Sequence, residues 1–135
     1  MKSELAEKLI QNHPKIFEVR KGTELMPFPM FGFECGGGWY NIINTLCYQI
    51  QSHIDWKNRN VEEVSQVIAE QVKEKFGTLR FYVRGGDEYT NGMIRMAEAL
   101  SAVTCETCGK PGKFRGKGWY YTSCNEHANE EDSDE

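Results

Sequence analysis

Four residues near the C-terminus have the types and the spacing of a metal site. Cys105 and Cys108 form a Cys-x2-Cys pair, and after an interval of fifteen residues Cys124 and His127 form a Cys-x2-His pair. Two such pairs are typical of a tetrahedral Zn²⁺ site, since each short spacing lets both members reach one ion from a tight turn. Four protein ligands leave no coordination position for water, so the sequence predicts structural rather than catalytic zinc.

Two disulfides in a secreted domain are the alternative use of these residues. The chain begins with MKSELAEKLIQNH, which has an amphipathic pattern rather than the apolar run of a signal peptide, and disulfides would leave His127 without a role. No apolar run approaches eighteen residues, so no membrane-spanning helix is predicted. We therefore expect a cytoplasmic protein, because thiols stay reduced in that compartment and can bind metal.

The loop between the two ligand pairs, GKPGKFRGKGWYYTS, alternates cations with aromatic rings. Cations contact phosphates and rings stack on bases, so this composition is typical of a surface for nucleic acid or protein. The alternative is that the rings cover a small metal core while the lysines only solvate a turn. The candidate binding residues of the loop are Lys110, Lys113, Arg115, Lys117, Trp119 and Tyr120.

A second cationic strip surrounds the segment LRFYV and consists of Lys73, Lys75, Arg80 and Arg84. If these residues lie in two strands of a hairpin, their side chains alternate between faces. We therefore expect only one set of them to share a surface.

The net charge of −4 conceals an acidic C-terminus. Residues 126–135 hold six of the twenty acidic residues and no Lys or Arg. A segment without apolar residues after Ala128 cannot bury surface, so residues 129–135 are predicted to be a disordered tail. The tail either solubilises the protein or competes with an acidic ligand for the basic loop.

A run of three glycines, Gly36–Gly38, precedes the strongest helical pattern of the chain. Backbone N–H groups at such a helix start could bind an anion, and Cys35 could be activated there as a nucleophile. The alternatives are a turn that lets Trp39 reach the core and an unreactive thiol. No base is identifiable beside Cys35, so no catalytic residue is predicted.

The elements that must position these residues follow from periodicity. Residues 3–11 predict a helix with Ser3 as N-cap, and residues 39–53 predict a longer one, followed by a polar connection over 55–60. Between these helices, residues 14–34 predict extended or ordered loop structure, in which Phe28, Phe31 and Phe33 pack on the core.

Residues 61–84 fit two arrangements. One is a helix that runs to Phe76, and the other is a helix over 61–67 followed by a hairpin of strands 69–76 and 78–84 that turns at Gly77. We favour the hairpin, because LRFYV has high strand propensity and EQVKEKF alternates. A further helix over 88–103 leads to Cys105.

Three segments together resemble a known group of proteins: QVKEKFGTLRFYV, the stretch Glu34-Cys35-Gly36-Gly37-Gly38-Trp39, and the paired metal ligands with their flanks AEALSAVTCETCGKPG and GWYYTSCNEHA. The chain resembles, over roughly residues 30–128, a family of small uncharacterised proteins of tailed bacteriophages and prophages. The resemblance implies a phage context, and it supports the hairpin over the long helix.

The predicted fold class is α+β, with a body over 1–104 built from helices and a β-hairpin, a zinc ribbon or knuckle over 105–128, and the acidic tail over 129–135. The predicted function is non-enzymatic. A phage accessory protein of the host cytoplasm would bind a host macromolecule, first of all a protein such as a defence or transcription factor. The alternative is a nucleic-acid or nucleotide binder that uses the basic aromatic loop and the hairpin.

Overall fold

The computed structural model describes residues 1–17 and 32–132, over which the fold is α+β with three α-helices and two small sheets. The α-helices are α1 (Ser3–Asn12), α2 (Tyr40–Asn60) and α3 (Glu88–Ser101). One sheet contains β1 (Phe33–Glu34), β2 (Ile68–Lys75) and β3 (Thr78–Arg84), and the other contains β4 (Lys113–Arg115) and β5 (Tyr121–Ser123). Single turns of 3₁₀ helix cover Gly37–Trp39, Asn125–His127 and Glu130–Asp132.

A single apolar cluster joins α2 and α3 to the inner face of the first sheet. The central strand β2 pairs in parallel with β1 and antiparallel with β3. Apolar side chains recur at spacings of three and four along α2 and form one buried stripe, which consists of Ile43, Leu46, Cys47, Ile50 and Ile54. This stripe packs in the same cluster as Val72, Leu79 and Phe81 of the sheet and Ile94 of α3.

The predicted hairpin is confirmed, with strands within one residue of the expected bounds. Phe76 and Gly77 form its two-residue turn, and both have positive φ, 52° and 87°. Such turns match the twist of the flanking strands and so fix their register. At the outer edge of β3, the N–H groups of Leu79 and Phe81 donate to Ser101 Oγ and Glu98 Oε2 of α3, at 2.8 and 3.1 Å. Helix α3 therefore covers this sheet edge.

Two predictions around residues 54–67 were wrong. The helix α2 does not stop near His53 but continues through the supposed polar connection to Asn60. The segment 61–67 is not helical, because Val61 and Glu62 both donate to Lys57 O and end α2 there. The segment has no regular secondary structure, but Val64 and Val67 are buried. A hydrogen bond from Gly86 N to Ser65 O, at 3.1 Å, anchors it.

The predicted helix ends differ from the observed ones by one or two residues in α1 and α3. Ser3 was expected to cap α1, but Lys2 occupies that position and makes no side-chain cap bond. Helix α3 ends at Ser101 rather than near 103, and it begins with a capping box in which Asp87 and Thr90 each bond the other's backbone N–H. Phe33 is buried as expected, whereas Phe28 and Phe31 lie outside the described residues. None of the described helices has the length and apolarity needed to cross a bilayer.

Candidate metal centre and its surroundings

The four predicted metal ligands converge on one point. The sulfurs of Cys105, Cys108 and Cys124 and a ring nitrogen of His127 all lie within 4.8 Å of one another. Cys108 Sγ is 3.7 Å from Cys124 Sγ, and His127 Nδ1 is 3.2 Å from Cys124 Sγ and 3.7 Å from Cys105 Sγ. A tetrahedral ion bonded to sulfur at about 2.3 Å would hold two sulfurs about 3.8 Å apart. The cluster could therefore hold one metal ion in a four-coordinate site.

Each ligand pair is held by a tight turn, as its spacing predicts. In the first turn Cys105 N donates to Lys110 O at 2.8 Å, and Gly109 N donates to Cys105 O at 2.9 Å. In the second, the 3₁₀ turn Asn125–His127 brings His127 N to 3.2 Å from Cys124 O. Each pair thus presents both of its side chains toward the same side of a single turn.

The backbone around Cys105 favours its thiolate form. Burial raises the pKa of this thiol, but backbone N–H groups of Cys124, Cys108 and Thr107 donate to its sulfur and lower the pKa to about 6. The thiolate is the form that binds metal. The turns therefore prepare a ligand as well as position it.

The glycine run Gly36–Gly38 joins the body (residues 1–17 and 32–104) to the C-terminal module (residues 105–128). Gly36 N donates to Glu106 Oε2 at 2.8 Å, and Gly38 N donates to Glu106 O at 2.7 Å. A Cβ on Gly38 would lie 2.1 Å from Cys105 O, so only glycine permits this approach. The carboxylate of Glu106 thus takes the place of an external anion at the N–H group of Gly36.

Two further hydrogen bonds hold the module in place, one to the residue just before it and one directly between module and body. Trp39 is fully buried, and its Nε1 donates to Thr104 O at 2.9 Å. Thr122 of β5 is also buried, and its hydroxyl donates to Gly77 O at the tip of the hairpin at 2.7 Å. Sequence reasoning anticipated that Trp39 reaches the core but missed Glu106 and Thr122. Nothing in the spacing of these polar residues distinguishes them from solvated ones.

Aromatic rings of the module meet the tip of the hairpin. Phe114 and Tyr120 stack with ring centroids 5.2 Å apart and an interplanar angle of 18°, and both are exposed. A Cβ on Gly77 would lie 2.8 Å from Phe114 Cε2, so this stack adjoins the turn. Phe76 in the same turn is 66% exposed, and Trp119 is 80% exposed. A large part of each of these rings thus faces solvent.

The four cations of the hairpin share one face of the sheet. Lys73 lies opposite Arg80 in the register of β2 and β3. Residues two apart in a strand share a face, so Lys75 lies on the side of Lys73 and Arg84 on the side of Arg80. The expectation that only one set shares a surface was wrong, because the two-residue turn places these positions in register.

The cations of the loop do not act as one group. Arg115 is buried, and its guanidinium donates to Ser123 O, to Asn125 Oδ1 and to Asp132 O. The prediction of Arg115 as a binding residue was therefore wrong, since it holds the module together. Lys113 and Lys117 are exposed, and exposed Lys110 lies 4.0 Å from Glu126.

The first residues of the acidic tail contact the module. Tyr121 OH donates to Asp132 Oδ2 at 2.6 Å, and Asn129 N donates to Tyr121 OH at 3.0 Å. Residues 129–132 of the predicted disordered tail thus form a turn beside Lys117 and Trp119, with which they line a groove of about 190 Å³. Residues 133–135 lie outside the described part of the chain.

Cys35 and Cys47 are buried in the core of the body. Burial, together with the charge of Glu106, raises the pKa of Cys35 to about 12, and burial alone raises the pKa of Cys47. A thiol with so high a pKa is protonated at neutral pH and is a poor nucleophile. Both cysteines therefore fill space in the core.

No protein-family model, curated protein or solved structure matches this chain. The resemblance to bacteriophage proteins stays a prediction from the sequence.

Proposed function

We propose that the Cys₃His cluster holds a structural Zn²⁺ ion and that the module it stabilises presents a surface for single-stranded nucleic acid. Three thiolates and one imidazole in tetrahedral reach are the donor set that zinc takes in closed structural sites. With four protein ligands the ion would keep no water for catalysis. The protein is therefore proposed to be a binding protein rather than an enzyme.

The observation that carries the proposed ligand is that exposed rings adjoin the hairpin tip, at one end of a sheet face with four cations, of which Lys75 is next to the turn and Arg84 lies at the far end. We call this region the basic–aromatic surface: the cations Lys73, Lys75, Arg80 and Arg84 of the sheet and the rings Phe76, Phe114, Trp119 and Tyr120. Exposed rings offer stacking platforms to unpaired bases, and cations beside them contact the backbone phosphates. Lys75 illustrates the combination, since its Nζ lies 5.6 Å from the ring centroid of Phe76.

Backbone strain at the tip supports the same proposal. Phe76 adopts a left-handed conformation, which costs a non-glycine residue about 1–2 kcal/mol. Asn or Gly would relieve this cost, and burial does not explain the ring because most of it is exposed. An aromatic side chain held at a turn against its conformational preference is typical of a contact residue.

The acidic side chains near the surface suggest what limits binding. Glu34 of β1 lies beside Lys73 in the register, and Glu131 and Asp132 line the groove that contains Trp119. These carboxylates would compete with phosphates for the same cations. We therefore expect weak binding at physiological salt and stronger binding when the tail charge is removed.

The test uses the full chain and fluorescently labelled single-stranded and double-stranded oligonucleotides. Trp119→Ala should weaken single-strand binding about 5- to 150-fold, since one stacked base contributes roughly 1–3 kcal/mol. The double variant Lys73→Gln/Lys75→Gln should lower the slope of log K against log salt by about 1.4, since each phosphate contact with a single strand contributes about 0.7. Glu131→Gln/Asp132→Asn should raise affinity while leaving an acceptor for Tyr121.

Trp56→Ala is the matched control, because Trp56 is 52% exposed but lies on α2, outside the basic–aromatic surface. It should leave affinity unchanged. Absence of oligonucleotide binding at low salt, in the wild type and in the tail variant alike, would rule out the nucleic-acid proposal. A host protein captured through Trp119 without any effect of salt would instead favour the partner class that the phage resemblance suggests.

A further inference from the structure

Helix α3 carries an exposed apolar row in addition to its buried one. Thr90, Ile94, Ala97 and Ser101 face the core and are buried. A second row follows the spacing four, three, four, three along the adjacent side of the helix and consists of Tyr89, Met93, Met96, Leu100 and, in the turn after the helix, Val103. Met93 is half-buried, while Tyr89, Met96, Leu100 and Val103 are 68%, 63%, 46% and 57% exposed.

This spacing is that of a seam between two helices. An apolar repeat of alternating three and four residues keeps one stripe facing a neighbouring helix over several turns. A helix that packs only against its own core needs one apolar face, which the buried row already supplies. In the second row, Met93 packs against the core and the Tyr89 ring lies 4.9 Å from that of His53, whereas Met96, Leu100 and Val103 stay exposed.

The second apolar row of α3, which we call the α3 seam, borders a groove between α2 and α3. The groove has a volume of about 400 Å³, and Ile42 and Leu46 of α2 form its other wall, opposite Met93, Met96 and Leu100. None of the nine described residues that line it is charged. A partner recognised through charge would find no complement here, whereas an apolar helix surface would.

We propose that the α2–α3 face is the interface of a homodimer, in which the α3 seam of each copy lies in the α2–α3 groove of the other. In a two-fold dimer the same patch of each copy contacts the other, so the patch must contain both a ridge and a groove. On this face the α3 seam is the ridge, and the groove lies next to it. The result is a four-helix layer on the helical side of the fold. The basic–aromatic surfaces of both copies would remain available.

The exposed area approaches the lower limit for a specific dimer. Since a large side chain carries roughly 150–250 Å², the exposed fractions of Tyr89, Met96, Leu100 and Val103 leave on the order of 400 Å² uncovered per chain. Two copies would bury about 800 Å² from these side chains alone, and the groove walls add to this toward the roughly 1,200 Å² at which specific interfaces begin.

Gly92 is consistent with close helix packing at this face. It lies in the interior of α3, and no atom lies within 4 Å of where its Cβ would be. Glycine in a helix interior is less stable than alanine by about 1 kcal/mol, and the described contacts of the single chain do not require it. A partner helix crossing between Tyr89 and Met93 would make use of the missing side chain.

The experiment is sedimentation velocity of the metal-loaded full chain over a range of concentrations. We expect a concentration-dependent dimer that Met96→Glu weakens at least tenfold, since the charge would be buried in an uncharged groove. Leu100→Lys is a second variant with the same expected effect, and circular dichroism checks the fold of both. The matched control is Val61→Glu, because Val61 is 61% exposed but lies beyond the end of α2 and outside the groove.

Two results would overturn the proposal. One is a wild-type chain that stays monomeric up to the highest soluble concentration. The other is a dimer that persists in folded Met96→Glu and Leu100→Lys, which would place the interface elsewhere. A dimer lost in both seam variants and retained in Val61→Glu would support it.

Discussion

The body and the C-terminal module are stabilised by different means. In the body, an apolar cluster from α1, α2, α3 and the first sheet excludes water. In the module, the buried residues are Cys105 and three polar ones, Arg115, Thr122 and Ser123. The two strands of the module have only three residues each. A segment of this size cannot bury enough apolar surface to fold alone, and the proposed metal ion would take the place of a core.

The difference explains the composition of the module's surface. The buried arginine and the proposed metal ion would organise the interior, so Phe114, Trp119 and Tyr120 are not needed there, and all three are exposed. The body, in contrast, buries Trp39 completely. The same residue types thus contribute to stability in one region and are available for binding in the other.

The largest expected effect comes from removing one metal ligand. Cys108→Ser should abolish stoichiometric metal binding and unfold the module, because structural zinc binding contributes on the order of 10 kcal/mol to the folding of small metal modules. The body should keep its helices, since its apolar cluster contains none of the four ligands. Elemental analysis and residue-resolved hydrogen exchange would measure both halves of this prediction.

A substitution in the core of the body serves as the control for Cys108→Ser. Ile50 is fully buried in α2, and Ile50→Ala should destabilise the body by about 2–5 kcal/mol while one metal ion per chain is retained under native conditions. If Cys108→Ser instead melts the helices together with the module, the two regions form one cooperative unit and the contrast between them fails.

The next largest effect concerns the join between the two regions. Gly38→Ala places a Cβ 2.1 Å from Cys105 O and 2.5 Å from Glu106 O, both backbone atoms that cannot rotate away. The module should shift off the body, with a loss of about 1–3 kcal/mol, the range typical of overpacking. Limited proteolysis near residue 105 and urea unfolding would detect the change.

Gly92→Ala provides the comparison for that variant, because it makes the same substitution where a Cβ has open space. It should stabilise the monomer by about 0.5–1 kcal/mol through the helix propensity of alanine. Equal effects of the two substitutions would show that Gly38 is not a contact point.

The sequence predicted best what depends on local spacing. The metal ligands, the turn at Gly77 and the apolar stripe of α2 were all readable, because each is set by residues close together in the chain. The end of α2 was not readable, since five of the six residues 55–60 are polar and look like a loop, yet this segment continues the helix with mostly exposed side chains.

What the sequence could not give are contacts between distant segments. Gly36 and Glu106 are seventy positions apart, and no local pattern announces that one donates to the other. The shared face of the four hairpin cations required the register, which depends on the two-residue turn. Arg115 looked like its cationic neighbours in the loop, and only the folded module distinguishes a buried guanidinium from exposed lysines.

The smallest expected effect lies within the body and depends on pH. Asp87 caps α3 and bonds His53 Nε2 at 2.8 Å and Lys57 Nζ at 3.2 Å, while Lys57 also lies 3.6 Å from Glu62. Partial burial opposes ionisation, but the hydrogen bonds from His53, Thr90 and Lys57 outweigh it and hold the pKa of Asp87 well below its ordinary value. The folded state therefore binds a proton at this carboxylate less readily than the unfolded chain does.

This shift fixes the direction of the pH dependence. The contribution of Asp87 is complete above the unfolded pKa of about 3.9 and is lost as the pH falls toward the lower folded pKa. Asp87→Asn keeps an acceptor for Thr90 N but removes the charge, so it should cost less than about 1 kcal/mol at neutral pH. The difference between wild type and variant should shrink below about pH 4. Loss of the proposed metal in acid would affect both proteins alike, so urea unfolding of wild type and variant across this range isolates the effect of Asp87. A constant difference would contradict the assignment.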